Sequence, residues 1–527
     1  MSKLLIGLLL AATPVAVQAR DAQVEERSID QLQADMTAGR ASSADLVRAY
    51  LKRIERLDRK GPTLRSVIAL NRQALAQARA LDAERKAGRV RGPLHGVPVL
   101  VKDNIDTADM PTTAGSLALK DNHTRRDAPL VARLRAAGAV ILGKTNLSEW
   151  ANIRSNNSMS GWSAVGGLVR NPYALDRTAC GSSSGSGTAI AASFAAAAVG
   201  TETDGSVVCP ASINGLVGLK PTLGLISRTH VVPISRSQDT PGPMARSVRD
   251  AALMLDAMAG SDPADPATAE ADARKRPFAA GLSASALSAL RVAVHRPPNA
   301  SAELAARFDA ALAVMREAGA VLVDVKPPEL DGLGGAELTV LLTELKADLD
   351  AYLATTPPAV TTRTLDQVIA FNKANAPAEM PYFGQELFEE AAKTKGLADP
   401  AYKAARSKSL GLASGAIDAM LREAKATVLV MPSYGPAWLS DPVHGDQYGG
   451  PSSSTLPAVS GYPNLTVPMG LVDGLPVGLS FIATRYADAT VLGAGYAFEQ
   501  RARARVAPRY LPTVETGRGL EGAALFE

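Results

Sequence analysis

Two short apolar runs set the strongest limit on what this chain can fold into. Val97-Pro-Val-Leu-Val101 follows the turn signal RGPLHG, and Ala139-Val-Ile-Leu142 follows a helical pattern over residues 131–138. Runs this short and apolar read as buried strands, and a helix between them makes α/β alternation. The same grammar returns downstream. LRVAVH, a helical pattern over 302–318 and AVLVDV form a strand–helix–strand unit, and ATVLVMP at 426–432 is a further strand. NLTVPMGLV and LPVGLSFI flank Asp473-Gly474, a strong hairpin signal.

Helical periodicity covers residues 29–57 as two helices broken near Gly39, then 72–89 and finally about 488–503. Ser247 and Asp250 have the spacing of a capping box for a helix running to Ala259, with Gly260 as its stop. The polar run 261–277 after it reads as a surface linker. Residues 331–423 are helical with little strand signal, so this stretch is expected to be an insertion or cap that shapes a substrate cleft. Tyr382, Phe383, Trp438 and Tyr448 are candidates for cleft contacts or for core packing.

Composition narrows the function classes. The 527 residues are 46% hydrophobic and 20% charged, with a net charge of +4, so nothing points to nucleic acid as a partner. The densest basic cluster, RARAR at 501–505, ends a helical pattern and reads as a solvated helix end. The first 19 residues carry Lys3, an apolar run from Leu4 to Ala12 and Val17-Gln18-Ala19. That is the form of a signal peptide cleaved after Ala19, which predicts an exported, periplasmic or secreted protein whose mature chain is 20–527. The apolar run is shorter than a bilayer span, and no later segment reads as one, so no membrane association is expected. Two cysteines, Cys180 and Cys209, make no metal-ligand spacing, and neither a metal nor a cofactor is expected. An oxidising compartment would permit one bridge between them, and two buried thiols fit the sequence equally well. The oligomeric state is left open.

Chemistry concentrates in two glycine–serine stretches. In CGSSSGSGTA, 180–189, Ser183 sits in a GxSxG pattern. A nucleophile elbow would need a strand before it and a supported histidine after it. NPYALDRTAC upstream is not a strand, and His230, His295 and His444 have no local motif around them. A phosphate loop would need Gly-Lys-Ser/Thr, which is absent. In the second stretch, GTETDGSVVCPASINGLVGLKPT at 200–222, Ser206 follows Asp204-Gly205. A serine after such a glycine turn can sit where successive backbone N–H groups converge, as in an oxyanion hole. A serine nucleophile needs a base, and with histidines unsupported a lysine made neutral by burial is the remaining choice. Lys102, carried directly out of the apolar run VPVLV, is the best placed, although lysines at strand ends are commonly exposed.

Together, HGVPVLVKDNID, GKTNLSEWAN, CGSSSGSGTA, GTETDGSVVCPASINGLVGLKPT and SQDTPGPMARSV resemble, in order, the amidase signature family of Ser-Ser-Lys hydrolases. The resemblance extends from about Ser28 to Arg505, and Ser206 lies 24 positions beyond Ser182, the separation that family keeps. It implies one large α/β domain with a central mixed sheet covered by helices on both faces. It also implies Ser206 as nucleophile, Ser182 as bridging serine held by a cis Gly181–Ser182 peptide, and Lys102 as base. Backbone N–H groups of Thr203, Asp204, Gly205 and Ser206 would form the oxyanion hole, with Ser183 supporting the network. NLSEWAN, Gly161-Trp-Ser163 and TETDGS are most similar to the bacterial peptide-amidase branch, which removes C-terminal amides of peptides. Two departures from the commoner pattern stand out: Asp204 replaces a glycine, and Val208 stands where an arginine is usual. Lacking that cation, the site is expected to disfavour amides with a neighbouring carboxylate and to take neutral peptide amides. The alternatives are a general or aryl-acyl amidase on small amides, a glutaminase component feeding ammonia to tRNA-bound glutamate, and a non-catalytic binding protein on the same scaffold.

Overall fold

A computed structural model describes residues 22–514; the leader-like segment 1–19 lies outside the described residues. Eleven strands form one mixed sheet: β1 (Val67–Leu70), β2 (Pro98–Lys102), β3 (Val140–Thr145), β4 (Ala197–Glu202), β5 (Val217–Lys220), β6 (Thr240–Ala245), β7 (Arg291–His295), β8 (Val321–Val325), β9 (Val428–Pro432), β10 (Asn464–Val472) and β11 (Leu475–Ile482). Their spatial order is β1-β3-β2-β4-β6-β5-β10-β11-β9-β7-β8. The runs that read as buried strands are β2 and β3, parallel neighbours in which every residue is buried. The Asp473-Gly474 turn joins β10 to β11 with both residues at positive φ, 50° and 78°, the primed-turn geometry that matches strand twist.

Helices flank this sheet to complete a single α/β domain. The helix Ser184–Ala191 packs on β2, β3, β4 and β6, and Val248–Met258 packs on β4, β5 and β6. Short side chains on the first of these, Gly185, Ser186, Gly187 and Ala189, are all buried and bring its backbone close to the strands. The stretch 331–423 contains the helices Leu333–Leu353, Leu365–Ala374, Ala376–Glu379, Glu386–Ala392 and most of Pro400–Ala424. An apolar cluster including Leu345, Leu349, Leu365 and Phe388 seats the helices Leu333–Leu353, Leu365–Ala374 and Glu386–Ala392 on Leu119, Trp150 and Ile234.

Three local expectations need correction. Ser247 accepts the Asp250 N–H at 3.1 Å, but Asp250 does not complete a capping box; its carboxylate accepts the Ile29 N–H at 3.0 Å instead. The polar run 261–277 lies largely at the surface, as expected, but it is anchored and holds two short helices, Pro266–Thr268 and Ala271–Arg274. Asp262 accepts from the Ser227 and Thr229 hydroxyls, and Asp265 pairs with Arg228 at 2.6 Å, because acidic side chains here satisfy the polar loop after β5. The basic cluster is only partly solvated: Arg501 and Arg503 are exposed, but Arg505 pairs with Glu26 at 2.7 Å and donates to the Gly215 carbonyl. A desolvated guanidinium keeps such a place only when its donors are matched.

Candidate active site

β2 and β4 run parallel, so their C-terminal ends meet at one edge of the sheet, where α/β folds commonly place ligands. Lys102 is the last residue of β2 and is fully buried. Its Nζ donates to Ser182 Oγ at 2.7 Å, Thr201 Oγ1 at 2.9 Å and the Thr201 carbonyl at 3.3 Å. No carboxylate lies within ion-pair distance of it among the described residues. Burial therefore pushes the amine down from 10.5 to about 7, against the opposing pull of Asp239 and Glu202. A lysine in this state is substantially neutral near pH 7 and can accept a proton.

Ser182 stands at the entrance to the helix Ser184–Ala191, on a cis Gly181–Ser182 peptide. Its carbonyl accepts the Ser148 N–H at 3.0 Å. Gly181 cannot be larger, since a Cβ there would lie 2.2 Å from Ser148 Oγ and 2.9 Å from Ser160 Oγ. Ser183 is buried and does not face outward as an elbow residue would. Its Oγ donates to the Thr201 carbonyl at 3.1 Å and accepts the Thr201 N–H at 3.2 Å, and its own N–H donates to the Ser206 carbonyl at 3.2 Å. It thus joins the Ser182 loop, β4 and the Ser206 turn.

Ser206 lies on the turn between β4 and the helix Val208–Ile213, with Gly205 at φ +81°. Glu202 steadies the turn by accepting the Val207 and Val208 N–H groups at 2.8 and 2.9 Å. Among the described residues, the N–H groups of Asp204, Gly205 and Ser206 donate to no acceptor, and Ser206 Oγ makes no hydrogen bond. Backbone donors in such a place are nearly always paired, so three successive open ones form a nest for an anion or a developing oxyanion. Thr203 begins the turn directly after β4, its hydroxyl donating to Asp239 at 2.6 Å.

Cys180 and Cys209 form a disulfide, settling the choice left open by the sequence. The bridge ties the Ser182 segment to the helix that follows Ser206. Of the four aromatic candidates, Phe383 is buried against Trp162 and under Arg154, while Tyr382 meets the Trp162 edge from the surface. Tyr448 meets Trp438 edge-on and lies tilted against Tyr434, whose hydroxyl would lie 2.2 Å from a Cβ placed on Gly205. Tyr434 was not anticipated, because nothing in SYGP marks it as a neighbour of a turn more than 200 positions earlier. Thr201 and Asp239 were missed for the same reason. Among the described residues, no cluster of His, Cys, Asp or Glu could hold a metal, and no helix is long and apolar enough to cross a membrane.

Comparison with known proteins shows the family. The Amidase family model matches residues 45–492. A probable amidase of Arabidopsis thaliana is 37% identical over 93% of this chain and 92% of its own. A chain of the glutamyl-tRNA(Gln) amidotransferase of Thermobifida fusca is 35% identical over 90% of this chain and 96% of its own. Among solved structures, native peptide amidase from Stenotrophomonas maltophilia superposes with a TM-score of 0.89 at 52% identity, covering 92% of this chain and 99% of that one. A peptide amidase in complex with the competitive inhibitor chymostatin aligns equally well, with a TM-score of 0.90 at 52% identity and the same coverage. Fold, motifs and relatives agree: the chain belongs to the amidase signature family and is a hydrolase acting on amide C–N bonds.

Proposed function

We propose that this amidase releases ammonia from the C-terminal amide of peptides by Ser-Ser-Lys chemistry outside the cytoplasm. The observation that carries the mechanism is the fully buried Lys102 amine, without an ion-pair partner among the described residues and 2.7 Å from Ser182 Oγ. Neutral Lys102 takes the proton of Ser182 as Ser182 takes that of Ser206, and Ser206 Oγ attacks the amide carbonyl. The oxyanion is received by the N–H groups of the Thr203–Ser206 turn. Returning through the same serine, the proton leaves with ammonia, and water then hydrolyses the acyl-enzyme. The Ser182–Ser206 link closes when substrate orders Ser206, since catalytic hydrogen bonds in free enzymes are often open.

Two observations support a neutral peptide amide as substrate. Val208 is buried with its N–H on Glu202, so the turn offers no cation for a neighbouring carboxylate. The proteins that share 52% identity with this chain are peptide amidases. Export is supported by the leader-like residues 1–19 and by the Cys180–Cys209 disulfide, a bond at home in oxidising compartments. The test is ammonia release from an amidated dipeptide. Ser206→Ala should lower it by roughly 10⁴-fold or more, as loss of a serine nucleophile does elsewhere. Faster turnover of a small amide bearing a free carboxylate, or of an aryl amide, would overturn the substrate assignment.

A further inference from the structure

The oxyanion turn carries an acidic residue whose partner comes from the helical insertion. Asp204 Oδ2 accepts the Thr455 hydroxyl at 2.9 Å, while Oδ1 is shut off from solvent and has no hydrogen-bond partner among the described residues. Near it is Glu337, buried on the first turn and a half of the helix Leu333–Leu353 and close enough for the two carboxyls to interact. Gln238 braces the pair, its Nε2 donating to Glu337 Oε1 at 2.8 Å and to the Thr203 carbonyl at 3.2 Å. Two carboxylates cannot share such a place, so one must hold a proton.

We propose that a protonated Glu337 donates to the open Asp204 oxygen, and that this shared proton latches the oxyanion turn to the insertion and holds its N–H groups in register. Glu337 is a positioning residue, and the proposal rests on the amidase mechanism given above. The rest of the helix follows the same design. Glu344 accepts from Ser235 and Ser237, and Asp348 pairs with Arg236, so one face of the insertion grips the loop that carries Gln238 and Asp239. The other groups facing Asp204 are Glu202 and Lys220 from within the sheet, with Tyr434 and Ser454 beside Thr455. Lys220 forms no ion pair with Asp204 among the described residues, and the Ser454 hydroxyl beside Asp204 also engages Tyr434 and Ser452. Burial and the neighbouring Asp204 push Glu337 up to about 8, so the latch holds at neutral pH and is lost as pH rises beyond that value.

The experiment compares pH profiles of the wild type, Glu337→Gln and Glu337→Ala with an amidated dipeptide. The wild type should lose kcat on the alkaline side near pH 8. Glu337→Gln keeps a donor to Asp204 that does not titrate, so its kcat at pH 7 should stay within about twofold and the alkaline fall should disappear. Glu337→Ala should lower kcat by roughly 10- to 100-fold with a smaller change in KM, as misplacement of a catalytic group does. An alkaline fall unchanged in Glu337→Gln would overturn the proposal. Infrared spectroscopy supplies a readout independent of turnover: of the protonated-carboxyl C=O bands the wild type shows at neutral pH, one should be absent from Glu337→Gln. Persistence of that band would also overturn the latch, whereas its loss in a chain inactive toward every amide would leave the latch standing and sink the amidase mechanism instead.

Discussion

Lys102 and Lys144 sit on adjacent parallel strands, near their C-terminal ends, and neither is exposed. Their surroundings differ in one respect. Lys144 pairs with the Asp103 carboxylate at 2.9 Å and donates to Thr112 Oγ1 and the Pro111 carbonyl. Lys102 meets only neutral oxygens, those of Ser182 and Thr201. A paired buried ammonium is structural, because its charge is compensated and costly to disturb. An unpaired one loses its proton and gains a use. The partner, and not the burial, separates the two roles.

Breaking the Lys102 side should have the largest effect. Lys102→Met is expected to lower kcat/KM by roughly 10²- to 10⁴-fold, the usual contribution of a general base. Stability should not follow activity. With its folded value near 7 and an ordinary value of 10.5, the unfolded chain binds the extra proton across that window. Wild-type stability on this account rises with pH between those values, and Lys102→Met should melt no lower than wild type at pH 7 while losing that slope. A lower melting temperature at pH 7 would contradict the assignment of an uncompensated amine.

The opposite result is expected on the neighbouring strand. Lys144→Met leaves Asp103 buried without its cation and should cost about 3–5 kcal/mol, read from urea unfolding midpoints at constant m. Adding Asp103→Asn should recover part of the loss. If Lys144→Met proved as benign as Lys102→Met, burial alone would explain both lysines and the contrast would fail.

Smaller effects sharpen the comparison. Replacing Cys180 and Cys209 by serine opens a bridge across 29 positions and should cost about 2–4 kcal/mol in thermal unfolding. Activity at low temperature should fall less than stability, because Ser183 still joins Ser182 and Ser206 through the backbone. The smallest effect is electrostatic. The acid limb of kcat/KM should lie near pH 7, activity rising as Lys102 loses its proton. The Asp239 carboxylate favours the charged amine, so Asp239→Asn should move that limb to lower pH by under about one unit. Movement to higher pH would show that Asp239 does not act on Lys102 through its charge.

Much of the scaffold was legible because it depends on local pattern. Continuous apolar runs mark β2, β3 and β9, Asp473-Gly474 marks the hairpin, and helical periodicity without strand signal marks 331–423. The site candidates came from motif order, which brought Lys102, Ser182, Ser183 and Ser206 into one reading; the structure puts Lys102 beside Ser182, and Ser183 between Ser182 and Ser206. Tyr434 against Gly205, Thr201 under Lys102, and Asp239 on Thr203 were not legible, since each pairs residues distant in sequence.

What the residues determined alone was therefore the set of elements and the chemistry available at their ends. Tertiary structure decided which charges found partners: among the described residues Lys144 did and Lys102 did not, Arg505 left solvent for Glu26, and Glu337 of the insertion met Gln238. The reason is physical. Periodicity and turn preference act over a few positions, whereas desolvation and pairing energies depend on what the fold brings within a few ångströms.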